Sequence, residues 1–254
     1  MNGLRARCLD GTRVIGTFTA IPHPVSVEVT AQAGTDFVCI DCEHAQVSRG
    51  HIEDLIRAAE VHKVPAMARV PGHGPEAIAA VLDAGACGVV IPRVGNAAQA
   101  AALVKACRYP PLGERGVGPG RAGGYGYRIP DYLARANAET VVAVQVETAE
   151  GLANAGEIAA TEGVDVVFIG PGDLSVSIDA IGAAGAEKLG QAIETIIAAT
   201  LAQGKAAGIF CKTPQDVARW AAKGASFFIL ASDTMLLGAG VAAARAEASE
   251  AMET

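Results

Sequence analysis

Short apolar runs alternate along the whole sequence with alanine-rich segments of helical periodicity. We predict a strand at each of eight runs: Val14–Thr19, Asp36–Asp41, Pro65–Val70, Gly88–Pro92, Val141–Val146, Val164–Ile169, Ala206–Phe210 and Phe227–Ala231. Several of the intervening segments end in glycine, which is common just after a helix. Eight strand–helix units in 254 residues predict an α/β protein, a single (β/α)8 TIM barrel.

A doubly wound open sheet is the alternative fold for such alternation. That fold usually carries a G-x-G-x-x-G motif directly after its first strand. Gly118, Gly120 and Gly123 have this spacing, but they follow the loop YPPLGERG and no strand, so we discount the match. The irregular segment from Tyr109 to Ile129 is long enough to suggest a functional loop. Since no linker, repeat or low-complexity tract interrupts the pattern, we predict one domain over residues 1–254.

Composition excludes several classes of partner. The net charge is −7 and no basic run occurs, which argues against a nucleic-acid partner. No apolar stretch is long enough for a membrane span, and the N-terminus lacks the apolar core of a signal peptide. Cys39 and Cys42 have C-x-x-C spacing, but neither a helix start nor a second pair accompanies them. We therefore expect small buried thiols in a reducing cytoplasm.

Polar residues cluster where the predicted strands end, which is where TIM barrels carry their catalytic groups. The residues concerned are Asp41, Glu43 and His44 after the second strand, Arg69 on the third, Gln145 and Glu147 at the fifth, Asp173 after the sixth and Asp233 after the eighth. Alternation along a strand puts Gln145 and Glu147 on the same face. We expect these side chains to converge at one rim of the barrel.

Each residue also has an ordinary structural interpretation. Glu147 could offset the dipole of the helix that follows it, and Asp173 could cap a helix or an Asx turn. His44 could be a loop histidine, Arg69 could neutralise a nearby acid, and Asp83 could be a solvated residue near a helix end. The joint pattern favours a site, because five carboxylates at one rim are unfavourable unless a cation offsets them.

Oxygen ligands without a Cys/His cluster suit Mg²⁺ or Mn²⁺. We predict Glu147 and Asp173 as ligands, because they lie on adjacent strands. The planar fork of Arg69 fits a carboxylate or an oxygen that becomes negative, and backbone N–H groups around Gly172 could bind an anion. A metal beside such an anchor suits a 2-oxo acid, which chelates it and whose enolate it stabilises. His44 could then move protons near neutral pH.

Seven stretches carry motifs of a known enzyme family, in this order: AGTDFVCIDCEHA, PAMARVPG, VLDAGACGVVIPRV, YPPLGERGVGPGRAGGYG, VVAVQVETAEGL, DVVFIGPGDLS and GASFFILASDTMLL. They resemble the metal-dependent (class II) pyruvate aldolases of the 4-hydroxy-2-oxoheptanedioate and 2-dehydro-3-deoxyglucarate aldolase family. The resemblance covers nearly the whole chain. It implies a (β/α)8 barrel that reversibly cleaves a 4-hydroxy-2-oxo acid to pyruvate and an aldehyde, through a metal-bound pyruvate enolate.

The resemblance also implies cofactors and assembly. It implies a divalent metal, Mg²⁺ or Mn²⁺ with Co²⁺ possible, and no organic cofactor. It further implies a homo-oligomer, a hexamer or trimer of dimers, in which neighbours exchange a C-terminal helix and sites lie near subunit contacts. The alanine-rich end, GVAAARAEASEAM, is a candidate interaction helix.

By the same resemblance, His44 would act as acid/base through a water, and Asp83 of the LDAG motif would pair with it. Arg69 would hold the pyruvate oxygens, and Gln145 would lie beside the pyruvyl group. These four residues, with backbone groups at Gly172, would bind and convert the substrate.

The metal ligands implied by the resemblance are Glu147 and Asp173, and Asp173 would also contact the substrate. We expect Asp41 and Glu43 to orient metal-bound waters or the catalytic histidine. The sequence departs from the family at Phe18, where many relatives have Trp, and in the run Arg121–Gly126. The aldehyde partner is therefore open.

Three rival functions stay open at this point. A class I aldolase would use a Schiff-base lysine, for which Lys212 after the seventh strand is the candidate. A related carbon–carbon lyase, acting on acyl-CoA thioesters or decarboxylating oxaloacetate, would keep the enolate chemistry. A non-enzymatic barrel would bind metal and pyruvate without turnover.

Overall fold

The computed structural model describes residues 3–253. Eight parallel strands pair in sequence order, and the last pairs with the first to close a barrel: β1 (Val14–Thr19), β2 (Phe37–Asp41), β3 (Ala66–Arg69), β4 (Gly88–Ile91), β5 (Val141–Val146), β6 (Val166–Ile169), β7 (Ala206–Cys211) and β8 (Phe227–Ser232). The predicted (β/α)8 barrel is confirmed, and each strand begins and ends within two residues of its predicted bound. The doubly wound alternative is excluded.

The described helices surround the strands and close the floor. They are α1 (Leu4–Leu9), α2 (Pro24–Gln32), α3 (Arg49–Val61), α4 (Pro75–Ala84), α5 (Ala97–Cys107), α6 (Ile129–Glu139), α7 (Ala149–Ala153), α8 (Ala155–Ala160), α9 (Pro171–Ser177), α10 (Gly182–Ala202), α11 (Pro214–Ala221) and α12 (Asp233–Glu253). Local chemistry sets where several of them begin. Proline occupies the first turn of α4 and α11, and the Thr213 hydroxyl caps α11 by accepting from the backbone N–H of Asp216.

Two apolar layers hold the barrel. The strands point alternate side chains inward, where Phe37, Met67, Phe168 and Phe227 fill the interior. Leu4, on α1, joins this interior layer and closes the floor. The second, larger layer lies between the strands and the surrounding helices. With its interior packed, the barrel leaves space for a ligand only above its ends.

A buried ion network joins the floor to the strands. Asp165, just before β6, is 1% exposed and accepts from Nη2 of Arg5 at 2.8 Å and Nη2 of Arg108 at 3.0 Å. The backbone N–H of Val142 donates to the same carboxylate. Two guanidinium groups and a backbone donor therefore neutralise this buried charge.

The C-terminal helix does not pack along its own barrel. Every residue of α12 from Thr234 to Met252 is exposed. Apolar side chains on its first turns, including Leu236 and Leu237, lie beside a groove of about 800 Å³ that Val25 and Val29 of α2 also line. Within residues 3–253, no helix has the length and apolar character that crossing a membrane requires.

Candidate active site

A cavity of about 680 Å³ opens at the carboxyl ends of the strands. Six of the predicted site residues line it: Asp41, His44, Arg69, Gln145, Gly172 and Asp173. The structure thus gathers these residues at one mouth, as their positions at the ends of β2, β3, β5 and β6 predict.

Asp41 and Arg69 form a bidentate ion pair at the centre of this mouth. They are cross-strand neighbours in the β2–β3 register. Nε of Arg69 donates to Oδ1 of Asp41 at 3.0 Å, and Nη2 donates to Oδ2 at 2.7 Å. Burial acts to raise the pKa of Asp41, but Arg69 outweighs it and holds the pKa below its ordinary value. With Nε and Nη2 engaged, Nη1 is left for a substrate oxygen.

The turn that carries His44 is built on the same aspartate. The backbone N–H groups of Glu43 and His44 both donate to Oδ1 of Asp41, at 3.1 and 3.2 Å. The imidazole is 59% exposed, and its Nε2 lies 3.7 Å from Oε2 of Glu43. That same oxygen lies 3.4 Å from Nε of Arg69 without an aligned hydrogen bond. Asp41 therefore fixes both the guanidinium and the backbone of the histidine turn.

Glu147 is buried under the cavity, next to Gly170. It is 2% exposed, its Oε1 accepts from the backbone N–H of Arg93 at 2.8 Å, and its Oε2 accepts from Nε2 of Gln145. A Cβ at Gly170 would lie 2.6 Å from Oε2 of Glu147, so only glycine leaves room there. The carboxylate is held in place by neutral donors alone.

Burial raises the pKa of Glu147 to about 7, and the nearby carboxylates of Glu43 and Asp173 add to the effect. Burial also raises the pKa of Glu43, against the pull of Arg69 and His44. Three acids thus share one small region, and none of the described cations pairs with Glu147. A bound cation would remove this unfavourable charge.

The residues present fit a hard divalent cation. Glu147 and Asp173 offer carboxylate oxygens, and the buried oxygens Oε2 of Glu43 and Oε1 of Gln145 have no hydrogen-bond partner. Within residues 3–253, no group of three or more His, Cys, Asp or Glu side chains is placed to hold a metal ion by itself. Two carboxylates leave coordination positions open for water and substrate oxygens. This arrangement suits Mg²⁺ or Mn²⁺ and is unlike a structural metal site, in which protein ligands fill every position.

The turn that the sequence predicts to bind an anion follows β6 directly. Gly172 and Asp173 lie in the first turn of α9, and both are exposed toward the cavity. Asp173 stands beside Glu147 closely enough to raise the pKa of that group. The glycine keeps side chains away from the backbone there, as the sequence predicts.

The structure does not bring Asp83 to His44 within one chain. Asp83 lies at the end of α4, which leads into the start of β4, so it is at the floor end of the barrel. Its Oδ1 accepts from Nη2 of Arg115 at 2.6 Å. The long irregular loop packs against it there, since a Cβ at Gly120 would lie 2.8 Å from Cβ of Asp83. An Asp83–His44 pair could therefore form only between two copies of the chain.

The sequence predicts Asp233 at the rim with the other acids, but its carboxylate is engaged in hydrogen bonds that hold the fold together. Its two oxygens accept from the backbone N–H groups of Ala20 and Ile21, at 2.9 and 3.0 Å, and Oδ2 also accepts from the hydroxyl of Ser26. The expectation that five carboxylates converge is therefore wrong for this one, because its lone pairs tie β8 to the loop after β1.

Two features of the site went unrecognised in the sequence. Arg93 has φ of 57°, which turns its backbone N–H toward Glu147. Nothing in the sequence signals this conformation, since arginine rarely adopts it. The second is a pair of aromatic rings, Phe18 and Phe210, at the base of the cavity. The centroid of the Phe18 ring lies 4.3 Å from the guanidinium carbon of Arg69 and 5.8 Å from the centroid of the Phe210 ring. Its signal was the inward position of both phenylalanines on their strands.

Residues 14–239 match the family described as HpcH/HpaI aldolase/citrate lyase. The chain belongs to this family. A 4-hydroxy-2-oxovalerate aldolase of Novosphingobium aromaticivorans is 36% identical to it over 241 residues, 94% of this chain and 92% of that relative. A hydroxypyruvate/pyruvate aldolase of Deinococcus radiodurans is 40% identical over 237 residues, 93% of this chain and 86% of that relative.

Solved structures agree with this membership. The crystal structure of an HpcH/HpaI aldolase/citrate lyase family protein from Burkholderia cenocepacia J2315 superposes with a TM-score of 0.92 at 32% identity, covering 97% of this chain and 98% of that one. Membership of the HpcH/HpaI family confirms the predicted family and the predicted enzyme class, an aldolase among the carbon–carbon lyases.

Proposed function

We propose that this chain is a divalent-metal-dependent aldolase that reversibly cleaves 4-hydroxy-2-oxo acids to pyruvate and an aldehyde. The observation that carries the proposal is the buried carboxylate of Glu147, which pairs with no cation among residues 3–253. Burial and the nearby Glu43 and Asp173 raise the pKa of this carboxylate to about 7. Two similar enzymes act, by their names, on a 4-hydroxy-2-oxo acid and on pyruvate. A cation site beside a guanidinium anchor fits that substrate class.

Glu147 and Asp173 are the residues that would hold the cation. Mg²⁺ and Mn²⁺ are the preferred candidates, and Co²⁺ is a third. When bound, the cation would polarise the 2-oxo oxygen of the substrate and offset charge that develops there. Arg69, held by Asp41, would donate its free Nη1 to the same region of the substrate. Gln145 would lie beside the pyruvyl group, and backbone N–H groups at Gly172 would bind the carboxylate.

His44 would take the proton of the C4 hydroxyl through a water, after which the C3–C4 bond breaks and the aldehyde leaves. Glu43 and Asp41 would keep this histidine and its turn in position. In the reverse direction the same imidazole would return the proton. The exposed position of His44 at the cavity mouth supports a role that depends on water.

We propose that the enzyme is a homo-oligomer, a hexamer or trimer of dimers as the family resemblance implies. Asp83 can assist His44 only from a second copy, because the two lie at opposite ends of one barrel. The unpacked α12, with its exposed apolar residues, supports the exchange of this helix between neighbours. We further propose one domain over the whole chain, and a cytoplasmic location, which six free cysteines support.

The rivals have weaker support. Lys212 is exposed at the cavity wall, whereas a Schiff-base lysine is usually activated by burial in an apolar pocket. Both named relatives are aldolases, which favours aldol cleavage over thioester lysis or decarboxylation.

The test is pyruvate release from a panel of 4-hydroxy-2-oxo acids, coupled to lactate dehydrogenase. Turnover that vanishes after EDTA treatment and returns with Mg²⁺ or Mn²⁺ is the expected result. Turnover that survives complete chelation would move the assignment to a Schiff-base lysine, which borohydride trapping with pyruvate would reveal. No release from any substrate would contradict the aldolase assignment.

A further inference from the structure

The wall of the active-site cavity that follows β7 carries a positive charge, Lys212, that the proposed mechanism does not use. Three cationic side chains line the cavity: Arg69, Lys212 and Arg219. Arg69 is engaged by Asp41, and the guanidinium of Arg219 lies over the Trp220 ring at 4.4 Å. Lys212 has no hydrogen bond or ion pair with any residue of the described part of the chain.

Strand geometry directs Lys212 toward the mouth of the barrel. The inward positions of β7 are Ala206, Gly208 and Phe210, because a Cβ at Gly208 would meet interior side chains and the other two pack in the interior layer. Lys212 continues this alternation one residue after the strand ends. It therefore lies on the same side of the chain as Phe210, and both residues line the cavity.

The Phe18–Phe210 pair lies between this lysine and Arg69, the predicted pyruvate-binding residue. Phe210 packs on Phe18 with ring centroids 5.8 Å apart, and Phe18 lies under Arg69. A substrate held at Arg69 can thus lie along these rings, with its far end at Lys212. One acid also lines this wall, Asp216, and its Oδ2 is engaged by the backbone N–H and hydroxyl of Thr213.

The 2-oxo acid end of a substrate already has its partners, namely Arg69, the cation that Glu147 and Asp173 would hold, and the backbone at Gly172. A further cation across the cavity fits a second negative group. We propose that Lys212 is a specificity-determining residue that selects aldehydes carrying an anionic group, a carboxylate or a phosphate. This inference rests on the proposed aldolase function and specifies its substrate class.

The experiment measures kcat/KM for the aldehyde in the condensation direction, with pyruvate and Mn²⁺ saturating. Two matched pairs separate the sources of charge: 4-oxobutanoate with its methyl ester, and glyceraldehyde 3-phosphate with glyceraldehyde. The wild-type enzyme should prefer the charged member of at least one pair by roughly tenfold or more. The pair that shows this preference identifies the anionic group.

Lys212→Met should remove the preference by lowering kcat/KM for the charged aldehyde roughly tenfold, while the neutral aldehyde and the KM for pyruvate stay unchanged. Lys212→Arg should restore most of the preference, since it keeps the charge. Lys223→Met is the matched control, because Lys223 pairs with Glu194 at 3.0 Å outside the cavity, and it should behave as wild type.

Three results would overturn the proposal. Equal kcat/KM values for charged and neutral aldehydes in both pairs would show that Lys212 selects nothing. A raised KM for pyruvate in Lys212→Met would place the lysine at the pyruvyl end, and loss of all turnover with borohydride trapping at Lys212 would make it a Schiff-base residue. A wild-type enzyme inactive on every aldehyde would instead refute the aldolase function itself.

Discussion

Two buried carboxylates, Asp165 at the floor of the barrel and Glu147 at its mouth, have opposite surroundings. Asp165 is 1% exposed and Glu147 is 2% exposed. Asp165 accepts from the guanidinium groups of Arg5 and Arg108. Glu147 accepts from a backbone N–H and an amide, and two further acids lie near it.

The difference separates a structural charge from a functional one. A buried acid that the protein itself neutralises contributes to the fold, and removal of the acid leaves its cations unpaired. A buried acid among other acids is unfavourable in the unliganded protein, and becomes favourable when a cation arrives. The mouth of the barrel is thus arranged for a ligand, and the floor is arranged for stability.

The largest expected effect is at the mouth. Glu147→Gln should lower kcat/KM for pyruvate release about a thousandfold, because one of two proposed metal ligands is lost. The free energy of unfolding of the metal-free protein should stay unchanged or rise, since the variant removes a carboxylate with a raised pKa. Steady-state kinetics and urea unfolding of the same preparations measure both. Full turnover at tightly controlled metal concentration would contradict the ligand assignment.

The reverse pattern is expected at the floor. Asp165→Asn should lower the free energy of unfolding by about 3–5 kcal/mol, because it leaves the buried guanidinium of Arg108 and the half-buried guanidinium of Arg5 without a counter-charge. Turnover of the folded fraction should persist. The exposed pair Arg135–Glu139 gives a control, since Glu139→Gln should change stability by about 0.5 kcal/mol or less. An Asp165→Asn protein as stable as this control would contradict the structural role of Asp165.

The pH dependence of metal binding follows from the pKa of Glu147, which is raised to about 7. Because the pKa of Glu147 is higher in the folded chain than in the unfolded chain, its protonated form stabilises the metal-free fold at low pH. This stabilisation is complete below the pKa of the unfolded chain and is lost as the pH rises through about 7. A cation needs the deprotonated form, so its affinity should fall about tenfold per pH unit below 7 and level off above about pH 8. Mn²⁺ titrations across this range measure the slope. A flat profile between about pH 5.5 and 7 would contradict a metal ligand with a raised pKa at Glu147.

The smallest effect is expected at Arg93, whose backbone positions Glu147. Arg93→Gly keeps the N–H and removes the cost of φ at 57°, so turnover should stay within about twofold and stability should change by about 1 kcal/mol or less. Arg93→Ala keeps the strained backbone and serves as the matched control. A loss of activity as large as that of Glu147→Gln would instead assign a direct role to the Arg93 side chain.

The sequence predicts the fold well because each strand is a local apolar run. All eight strands follow from such runs and from the alternation with helices. The gathering of Asp41, Arg69, Gln145 and Asp173 also follows, because each stands at a strand end and parallel strands share one edge. Their chemical roles stay predictions.

The remaining features depend on contacts between distant segments. Asp233 follows a strand just as the site acids do, and only the folded chain shows that its oxygens bind the backbone after β1. The backbone conformation of Arg93 leaves no local signal. Asp83 belongs to a recognisable motif, but within its own chain it pairs with Arg115 and not with His44. Strand periodicity carries no information on how copies of the chain assemble. The sequence places Lys212 after β7, but only the folded chain shows that no described residue pairs with its charge.

Mn²⁺ binding followed by electron paramagnetic resonance, with wild type and Glu147→Gln side by side, tests the central claim most directly. The account predicts that the wild-type protein binds one Mn²⁺ per chain, that pyruvate alters the Mn²⁺ signal, and that the variant loses the site while keeping its fold. A Glu147→Gln protein that binds Mn²⁺ with wild-type affinity would contradict the proposal that the barrel mouth is built for a metal.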